Sequence, residues 1–387
     1  MPAKTNERYY SLDVFRGATV ALMILVNNPG SWAHIYAPLE HAPWHGCTPT
    51  DLVFPFFLFA VGNAMSFVMP RLREAGEGPF WSKTLRRTAL IFGIGLLLNW
   101  APFVKYDGNG QLVAKAFAQL RILGVLQRIA LCYFLASVII WYGKSRGAFV
   151  IGAILLLVYW AICLLFGSPG DPFSMEGFFG THLDRAVLGS GHMYHGEGVD
   201  FDPEGIGSTM AAIVNVIFGY LVGEYINQKG RTWEMLSNLF MAGVAFTLTG
   251  YLWDMSFPIN KKIWTSSYTM YTVGLATVTL ASLIYAIEFK GKAGAWSRFF
   301  DVFGKNPLFI FAFSAVVVKT YGLIRISDGT GPDGKPLHKN LAAWMYDHLF
   351  SPAFGEFNGS LLFAVAHIIV FWAIVRWMDK KRIYVKV

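Results

Sequence analysis

The sequence predicts an all-α protein, a polytopic transmembrane helical bundle of about ten spans with both termini in the cytoplasm. Hydrophobic residues make up 55% of the 387 positions and charged residues only 14%, whereas charged residues account for about 25% of a typical soluble domain. Apolar runs of about 17–25 residues, the length that crosses a hydrocarbon core, recur along the chain. An aromatic content of 16% agrees, since Trp and Tyr collect at membrane interfaces.

Ten apolar segments are predicted to cross the membrane. They are residues 12–33, 51–69, 84–103, 121–142, 148–167, 205–226, 235–253, 266–287, 301–323 and 358–377. No linker or low-complexity stretch divides the chain, so we expect residues 1–387 to form a single domain. Three longer loops, 34–50, 168–204 and 324–357, are expected on the outer side.

The positions of the basic residues predict the orientation. Lys and Arg are concentrated in the N-terminal segment (Lys4, Arg8), in the connections 70–83, 143–147, 227–234 and 288–300, and in the C-terminal tail. Because cytoplasmic loops carry the excess of Lys and Arg, both termini are expected in the cytoplasm. The formal net charge of +8 is then explained without a nucleic-acid partner.

No disulfide or metal site is predicted. The three cysteines form no CxxC pair, and two of them lie in apolar runs. His34, His41 and His45 are seven and four positions apart, which on one helix would suggest a metal-binding face. Pro38 and Pro43 interrupt any such helix, and no further ligand completes the set.

Two charged residues, Asp13 and Arg16, lie in the first apolar segment. A charge on a spanning helix costs at least a few kcal/mol, so a polar functional site is favoured there. Asn27 is eleven positions after Arg16 and returns to nearly the same helix face at about 100° per residue. The alternative is a single buried ion pair that only fixes helix packing.

His41 is the strongest candidate for a catalytic residue. It shares a short loop with Trp44 and with Asp51, which begins the second span. Its unperturbed pKa near 6.5 allows an imidazole to act as base and as acid at neutral pH. The alternative is a solvated histidine on an outer loop.

Seven motifs follow one another along the chain. They are S-L-D-V-F-R-G at 11–17, V-N at 26–27, H-A-P-W-H-G-C-T-P-T-D-L-V-F-P-F-F at 41–57, R-I-L-G-V-L-Q-R-I at 121–129, D-P-E-G-I-G-S-T at 202–209, P-I-N-K-K-I-W-T-S-S-Y at 258–268 and G-K-N-P-L at 304–308. In this order they resemble the family of heparan-α-glucosaminide N-acetyltransferase and its bacterial relatives, the transmembrane acyltransferases. The resemblance implies transfer of acetyl from cytoplasmic acetyl-CoA to a glucosamine amine on the far side of the membrane.

The resemblance also implies catalytic roles. The active-site histidine of the family lies in the H-x-x-W segment, here His41, and its catalytic asparagine follows valine, here Asn27. His45 stands where the family has asparagine, so His45 is the alternative catalytic imidazole. We expect His41 to take the proton of the amine, Asp51 to orient the ring, and Asn27 to donate to the oxyanion. The alternative is a nucleophilic role for the same histidine, with an acetyl-histidine intermediate.

Acetyl-CoA is expected as the co-substrate, with no metal. The predicted contacts are Arg86 and Arg87 for the phosphates, Arg16, Gln127 and Arg128 along the passage through the membrane, and Asn306 at the inner face. An amino-sugar acceptor is expected on the outer side. Its candidate contacts are Trp44, His45, Asp184, His192, Asp202, Glu204, Trp264 and Tyr268.

Several of these residues have alternative explanations. Asp202 and Glu204 would also suit a turn that opens the sixth helix, with carboxylates at its N-terminus. Trp264 and Tyr268 would also suit anchoring at the membrane interface.

Two other functions fit the same residues. One is a transporter or permease for an amino sugar, and the other is an O-acetyltransferase of a surface glycan. The expected partners are acetyl-CoA, the acceptor sugar and the lipid bilayer, and a homodimer is compatible with the sequence. No eukaryotic targeting segment is recognisable, so a bacterial inner (cytoplasmic) membrane is the expected location.

Overall fold

A computed structural model describes residues 9–108, 110–330 and 336–385. Lys4 and Arg8, which contribute to the predicted orientation, lie outside the described residues. The described chain is mostly helical with little sheet, so the prediction of a helical membrane bundle is confirmed at that level.

The elements follow one another as helices interrupted by two hairpins. The helices are α1 (Tyr10–Asn27), α2 (Val53–Ala75), α3 (Glu77–Trp100), α4 (Val125–Phe166), α5 (Phe179–Leu188), α6 (Ile206–Lys229), α7 (Trp233–Trp253), α8 (Ser266–Ile284), α9 (Ala295–Lys305), α10 (Pro307–Tyr321), α11 (Leu341–Met345), α12 (Ser351–Phe354) and α13 (Glu356–Lys380). The antiparallel hairpins pair β1 (Val104–Tyr106) with β2 (Leu112–Ala114) and β3 (Arg325–Thr330) with β4 (Pro336–Asn340). In these hairpins Lys105 lies opposite Val113, and Ile326 lies opposite Lys339.

Seven helical segments among the described residues are long and apolar enough to cross a membrane. They are Tyr10–Asn27, Pro49–Ala75, Val125–Phe166, Ile206–Lys229, Trp233–Trp253, Ser266–Phe289 and Glu356–Lys380. The helices α9 and α10 meet at an 81° bend and make an eighth if they form one broken span. Ten spans and cytoplasmic termini therefore stay predictions.

Two regions account for the difference between the ten predicted spans and the eight that include the broken span. The segments 121–142 and 148–167 are joined in α4, whose 42 residues would extend about 63 Å, twice the hydrocarbon thickness. The backbone leaves the helical region at Lys144 (φ 52°, ψ −167°), so α4 consists of two helices across a kink. The segment 84–103 falls in α3, where Lys83, Arg86 and Arg87 lie within every 18-residue stretch and lower its apolarity.

Helix α6 lies at the centre of the bundle. Of its most apolar 18 residues 83% are buried, against 28% for α7. It packs against α2, α4 and α8. Helices α7 and α13 instead expose large apolar side chains such as Leu248 and Ile369, as expected of helices that face lipid.

Small residues allow α2 and α6 to approach closely. A Cβ atom on Gly62 would lie 2.0 Å from the carbonyl oxygen of Val216, and one on Gly219 would lie 2.2 Å from that of Phe59. Gly219 and Gly223 form a GxxxG motif on α6, a spacing typical of closely packed membrane helices. This contact fixes α2, whose first turn carries part of the candidate site.

The close approach predicts that Gly62→Ala destabilises the protein. The added methyl group must push α2 away from α6, at a cost of about 1–3 kcal/mol. Thermal unfolding of the detergent-solubilised protein should show a lower Tm. Gly93→Ala in α3 is the matched control, because a Cβ at Gly93 would meet nothing within 4 Å. Equal Tm values for the two variants would contradict this account of the interface.

Candidate active site

The loop before α2 is folded around one buried carboxylate. Residues Pro49–Leu52 form a short 3₁₀ turn that leads into α2, and Thr48 and Asp51 cap it reciprocally. Oδ2 of Asp51 accepts hydrogen bonds from the backbone N–H groups of Thr48 (3.0 Å) and Ala42 (3.1 Å) and from Oγ1 of Thr48 (3.1 Å). The loop 42–48 is thereby closed on Asp51.

His41 and Asp51 form the central pair of this site. Nδ1 of His41 lies 2.6 Å from Oδ1 of Asp51. Since a carboxylate accepts and does not donate, Nδ1 carries the proton and Nε2 is left as an acceptor. The His41 side chain is 46% exposed and that of Asp51 only 1%. A buried carboxylate thus orients an imidazole whose reactive nitrogen is accessible.

A cavity of about 260 Å³ opens beside this pair and is called the histidine cavity. It is lined by His41, Ala42, Trp44, Asp51, Arg121, Val125, Tyr194, Glu197, Pro203, Glu204, Lys261, Lys262 and Trp264. Five of the sequence-predicted site residues are therefore brought together here, namely His41, Trp44, Asp51, Glu204 and Trp264. The remaining lining residues were not predicted as site residues.

Arg121 ties one wall of the histidine cavity to the start of α6. Its guanidinium donates to both oxygens of Asp202 (3.0 and 2.6 Å) and also bonds Glu204. Burial acts to raise the pKa of Glu204, but the ion pair with Arg121 outweighs burial and the pKa is lowered. Glu204 is thus a carboxylate at neutral pH and faces the cavity.

Lys261 is a lining residue of the histidine cavity that the sequence analysis did not single out. Its Nζ lies 3.0 Å from Nδ1 of His41 and 3.4 Å from Oδ1 of Asp51. A signal was present: Lys261 and Lys262 lie in a connection assigned to the outer side, where Lys is uncommon. The linear distance of 220 residues between Lys261 and His41 hid the contact.

A second cavity, of about 590 Å³, is called the basic cavity. Its lining includes Arg16, Lys83, Arg87 and Lys305, together with apolar side chains from α2, α3, α4 and α10. Arg86 lies in an adjoining cleft of about 540 Å³ that shares Lys83 and Arg87. Arg16 and Arg87 therefore line the basic cavity with Lys83, and Arg86 lies in the adjoining cleft. Their role as acetyl-CoA contacts stays a prediction.

The two cavities approach each other at the first turn of α4. Val125 lines the histidine cavity, and the next residue, Leu126, lines the basic cavity. Along α2 the histidine cavity is reached at Asp51 and the basic cavity extends from Phe57 to Val68. The distance from Asp51 to Val68 is about 25 Å at 1.5 Å per residue, close to a hydrocarbon thickness of roughly 30 Å.

The structure does not bring Asn27 to His41. Asn27 is exposed and lines a separate cavity that also contains Trp32, Tyr321 and His367. The physical reason is that α1 ends at Asn27 and the chain then docks on α13, where the Gly30 N–H donates to the Ser360 carbonyl (3.2 Å). The predicted oxyanion role of Asn27 has no support from this geometry.

Three residues that were predicted to contact acetyl-CoA instead contact other parts of the protein. Arg128 is 1% exposed; it donates to the Gly205 carbonyl (3.1 Å) and bonds Ser208. Gln127 is also 1% exposed and packs against α3 at Gly95. Neither residue lines the basic cavity.

Asn306 is the third of these contacts and is fully buried. Its amide donates to the Ile383 carbonyl (3.0 Å) and accepts from the Val385 N–H (2.8 Å). Asn306 therefore holds the C-terminal segment, in which Tyr384 and Val385 line the basic cavity.

Four residues that were predicted to contact the acceptor sugar also make hydrogen bonds or ion pairs within the protein. Asp184 is 1% exposed and accepts from the Ile206 N–H (2.8 Å) at the start of α6. Asp202 forms an ion pair with Arg121. His192 bonds the Leu120 carbonyl through Nδ1 (2.7 Å), and the fully buried Tyr268 donates to the Asp51 carbonyl (2.6 Å). None of the four lines the histidine cavity.

His45 lies beside the pair but outside the cavity lining. Its Nδ1 is 3.4 Å from the Asn260 amide, and its ring contacts Trp44 edge to face. Burial lowers the pKa of His45, and Asp171 and Asp254 partly oppose this. His45 therefore lacks the carboxylate partner that orients His41.

Within the described residues, no three His, Cys, Asp or Glu side chains come together as a metal-binding group. The expectation that the protein uses no metal stays a prediction.

Comparison with known proteins agrees with the motifs. The family model described as "Heparan-alpha-glucosaminide N-acetyltransferase, catalytic" matches residues 8–170. The predicted resemblance to this family is confirmed. Heparan-alpha-glucosaminide N-acetyltransferase of Homo sapiens is 27% identical over 73% of this chain and 49% of its own length. The Mus musculus protein of that name is 25% identical over 73% of this chain and 50% of its own. The chain spans about half the length of these relatives.

Asp184 makes the stability of the protein depend on pH. Burial raises the pKa of Asp184 to about 7, from about 3.9 in an unfolded chain. The stabilisation that this implies is complete below about pH 4 and is lost as pH rises through about 7, with an upper bound of about 4 kcal/mol. We expect Tm to fall between about pH 4 and 7, and Asp184→Asn to remove most of that fall.

The matched control is Glu234→Gln, which removes an exposed carboxylate that pairs with Lys229 (2.8 Å). It should leave the fall in Tm unchanged. If Asp184→Asn keeps the pH dependence of the unmodified protein, Asp184 is not its source.

Proposed function

We propose that the protein is a membrane-embedded acetyltransferase that moves acetyl from cytoplasmic acetyl-CoA to the amine of a glucosamine-type sugar on the periplasmic side. The observation that carries the proposal is that two consecutive residues of α4 line the two cavities, Val125 the histidine cavity and Leu126 the basic cavity. One cavity holds an oriented imidazole, and the other holds a cluster of cations. A thioester bound in the second would present its acetyl group to the first.

The basic cavity suits acetyl-CoA. Phosphate groups need cationic donors, and Lys83, Arg87 and the neighbouring Arg86 supply them. The apolar residues Val61 and Ile91 line the same cavity and would contact the uncharged pantetheine arm. A volume of about 590 Å³ falls in the usual range for a small-molecule site.

The His41 and Asp51 pair supplies the proton chemistry. The amine of a sugar must lose a proton before or during its attack on a thioester, and Nε2 is the unprotonated ring nitrogen of His41, which lines the histidine cavity. The Asp51 carboxylate holds the ring and stabilises the imidazolium that forms. A nucleophilic role for His41, with an acetyl-histidine intermediate, uses the same nitrogen.

The acceptor would bind in the histidine cavity. Trp44 and Trp264 provide apolar surface for a sugar ring, and Glu204 provides a carboxylate for hydroxyl or ammonium groups. A volume of about 260 Å³ suits one sugar unit better than an extended chain, since pockets for larger ligands exceed roughly 300 Å³.

The proposed orientation follows from the charges around the basic cavity. Lys83, Arg86 and Arg87 lie near it, and such residues favour the cytoplasmic side. The histidine cavity then opens to the periplasm of a bacterium whose inner membrane holds the protein as a single domain. Acetyl-CoA, the acceptor sugar and the bilayer are its proposed partners, and self-association into a homodimer is included in the proposal.

The proposal predicts that His41→Ala abolishes acetyl transfer and leaves acetyl-CoA binding intact. Loss of a general base costs about 10²–10⁴-fold in rate. CoA release from acetyl-CoA and glucosamine measures transfer in purified protein, and thermal stabilisation by CoA measures binding. His182→Ala, on the exposed face of α5, is the matched control and should retain both.

Two results would change the assignment. Full activity of His41→Ala together with inactive His45→Ala would move the chemistry to His45. Accumulation of sugar in vesicles without CoA release would favour a transporter. Mass spectrometry of the product locates acetyl on nitrogen or on oxygen and thereby separates the N-acetyltransferase from an O-acetyltransferase.

The proposal also predicts that Arg87→Gln raises the KM for acetyl-CoA by roughly 10–100-fold, the value of one charge-assisted hydrogen bond. The kcat should change little, because the phosphates are remote from the thioester. Steady-state kinetics at two ionic strengths measures both parameters. Arg71→Gln removes an exposed charge outside the cavity lining and should leave KM unaltered. An unchanged KM for Arg87→Gln would remove Arg87 from the phosphate site.

A further inference from the structure

We propose that Lys261 is a catalytic residue, whose ammonium group binds the acetyl carbonyl oxygen as negative charge develops on it during transfer at His41. The inference rests on the proposed function and adds a residue to it. The oxyanion role had been expected of Asn27, which lies in another cavity.

The position of the ammonium group carries the inference. Nζ of Lys261 lies 3.0 Å from Nδ1 and 3.5 Å from Nε2 of His41. Nδ1 is occupied by Asp51, so the acetyl carbon must approach Nε2 or a nucleophile bound there. An oxygen on that carbon then lies within hydrogen-bond reach of Nζ. Donors placed where charge develops are among the largest contributions to acyl transfer.

The backbone around Lys261 is fixed. The Trp264 N–H donates to the Lys261 carbonyl (3.1 Å), and the Ile263 N–H donates to the Asn260 side chain (3.1 Å). The Asn260 N–H in turn donates to Oγ1 of Thr265 (3.1 Å), the N-cap of α8. The backbone of Lys261 is therefore held against a buried helix end.

The other cations of the histidine cavity are paired with other carboxylates. Among its described lining residues, Arg121 is bound by Asp202 and Glu204, and Lys262 pairs with Glu197 at 2.6 Å. Lys261 instead pairs with Asp51 at 3.4 Å, the longest of these contacts. Its remaining N–H donors are therefore available to a substrate oxygen.

The step balances without a further reactant. The neutral amine nitrogen attacks the thioester carbon, the π electrons of the carbonyl move to the oxygen that Lys261 binds, and His41 takes a proton from the nitrogen. The carbonyl re-forms as the C–S bond breaks, and the sulfur leaves with its electron pair. It receives the proton from His41, so the products are the N-acetyl sugar and CoA thiol.

The decrease of kcat at alkaline pH distinguishes a catalytic role of Lys261 from a merely structural one, because a structural role would not produce it. Burial lowers the pKa of Lys261, and the Asp51 and Glu204 carboxylates oppose this. The charged and titratable groups that face Lys261 are Asp51, His41, Glu204 and Cys47, with Arg121, Glu197, Tyr194 and Lys262 in the same cavity. Only the ammonium form donates to an oxyanion, so kcat should fall as pH rises through the pKa of Lys261.

The test compares Lys261→Met and Lys261→Arg in purified full-length protein with acetyl-CoA and glucosamine. Lys261→Met should lower kcat by about 10²–10³-fold and leave both KM values within a few-fold. Lys261→Arg should recover part of kcat and lose the alkaline fall, because guanidinium stays charged. Lys229→Met, which breaks an exposed pair with Glu234 (2.8 Å), is the control and should keep wild-type kinetics. Tm values report folding of each variant.

Each outcome decides the inference. Wild-type kcat in Lys261→Met would overturn it and leave the proposed function standing. A raised KM with unchanged kcat would make Lys261 a binding residue and would also overturn it. If neither wild type nor any variant releases CoA with an amino-sugar acceptor, the proposed function and this inference both fail.

Discussion

A carboxylate without water is stable only when its lone pairs have partners, and this requirement organises the site around Asp51. The Asp51 side chain is 1% exposed and is surrounded by the Thr48 and Ala42 N–H groups, the His41 ring and the Lys261 ammonium. Its own backbone carbonyl accepts from the Tyr268 hydroxyl. The same carboxylate thus folds the loop, starts α2, sets the tautomer of the imidazole and joins two distant parts of the sequence.

Helix α2 then connects the loop to the rest of the protein. Its glycine contact with α6 fixes its axis, the turn that precedes it carries Asp51 into the histidine cavity, and its own side chains line the basic cavity. On the opposite wall Arg121 links the beginning of α4 to the beginning of α6 through Asp202 and Glu204. The spacing of these helices is therefore set by the glycine contact of α2 with α6 and by the ion pairs of Arg121 in the wall of the histidine cavity.

What the sequence could predict was mainly local. His41, Trp44 and Asp51 lie within eleven positions, so their association followed from proximity and from the cost of a carboxylate at a span boundary. The apolar spans were found by composition, whereas the kink at Lys144 depends on backbone angles that composition does not encode. The family motifs indicated reaction chemistry without indicating which motif residues face a cavity.

The sequence pattern could not predict contacts between residues that are far apart in the chain. Arg16 and Asn27 do lie on one helix, but the chain after Asn27 turns onto α13, so the end of α1 does not lead to His41. Asn306, Asp184 and Tyr268 have polar groups whose partners lie at least 22 residues away, so their structural use appears only in three dimensions. Lys261 was hidden for the same reason.

The juxtaposition of Val125 and Leu126 has a consequence for membrane integrity. Under the proposed function, only the acetyl group passes from one cavity to the other, while the nucleotide and the sugar each stay in their own compartment. The cell would thereby deliver an activated chemical group outward without a permeation pathway, and the ion gradients on which it depends would not be short-circuited by the enzyme.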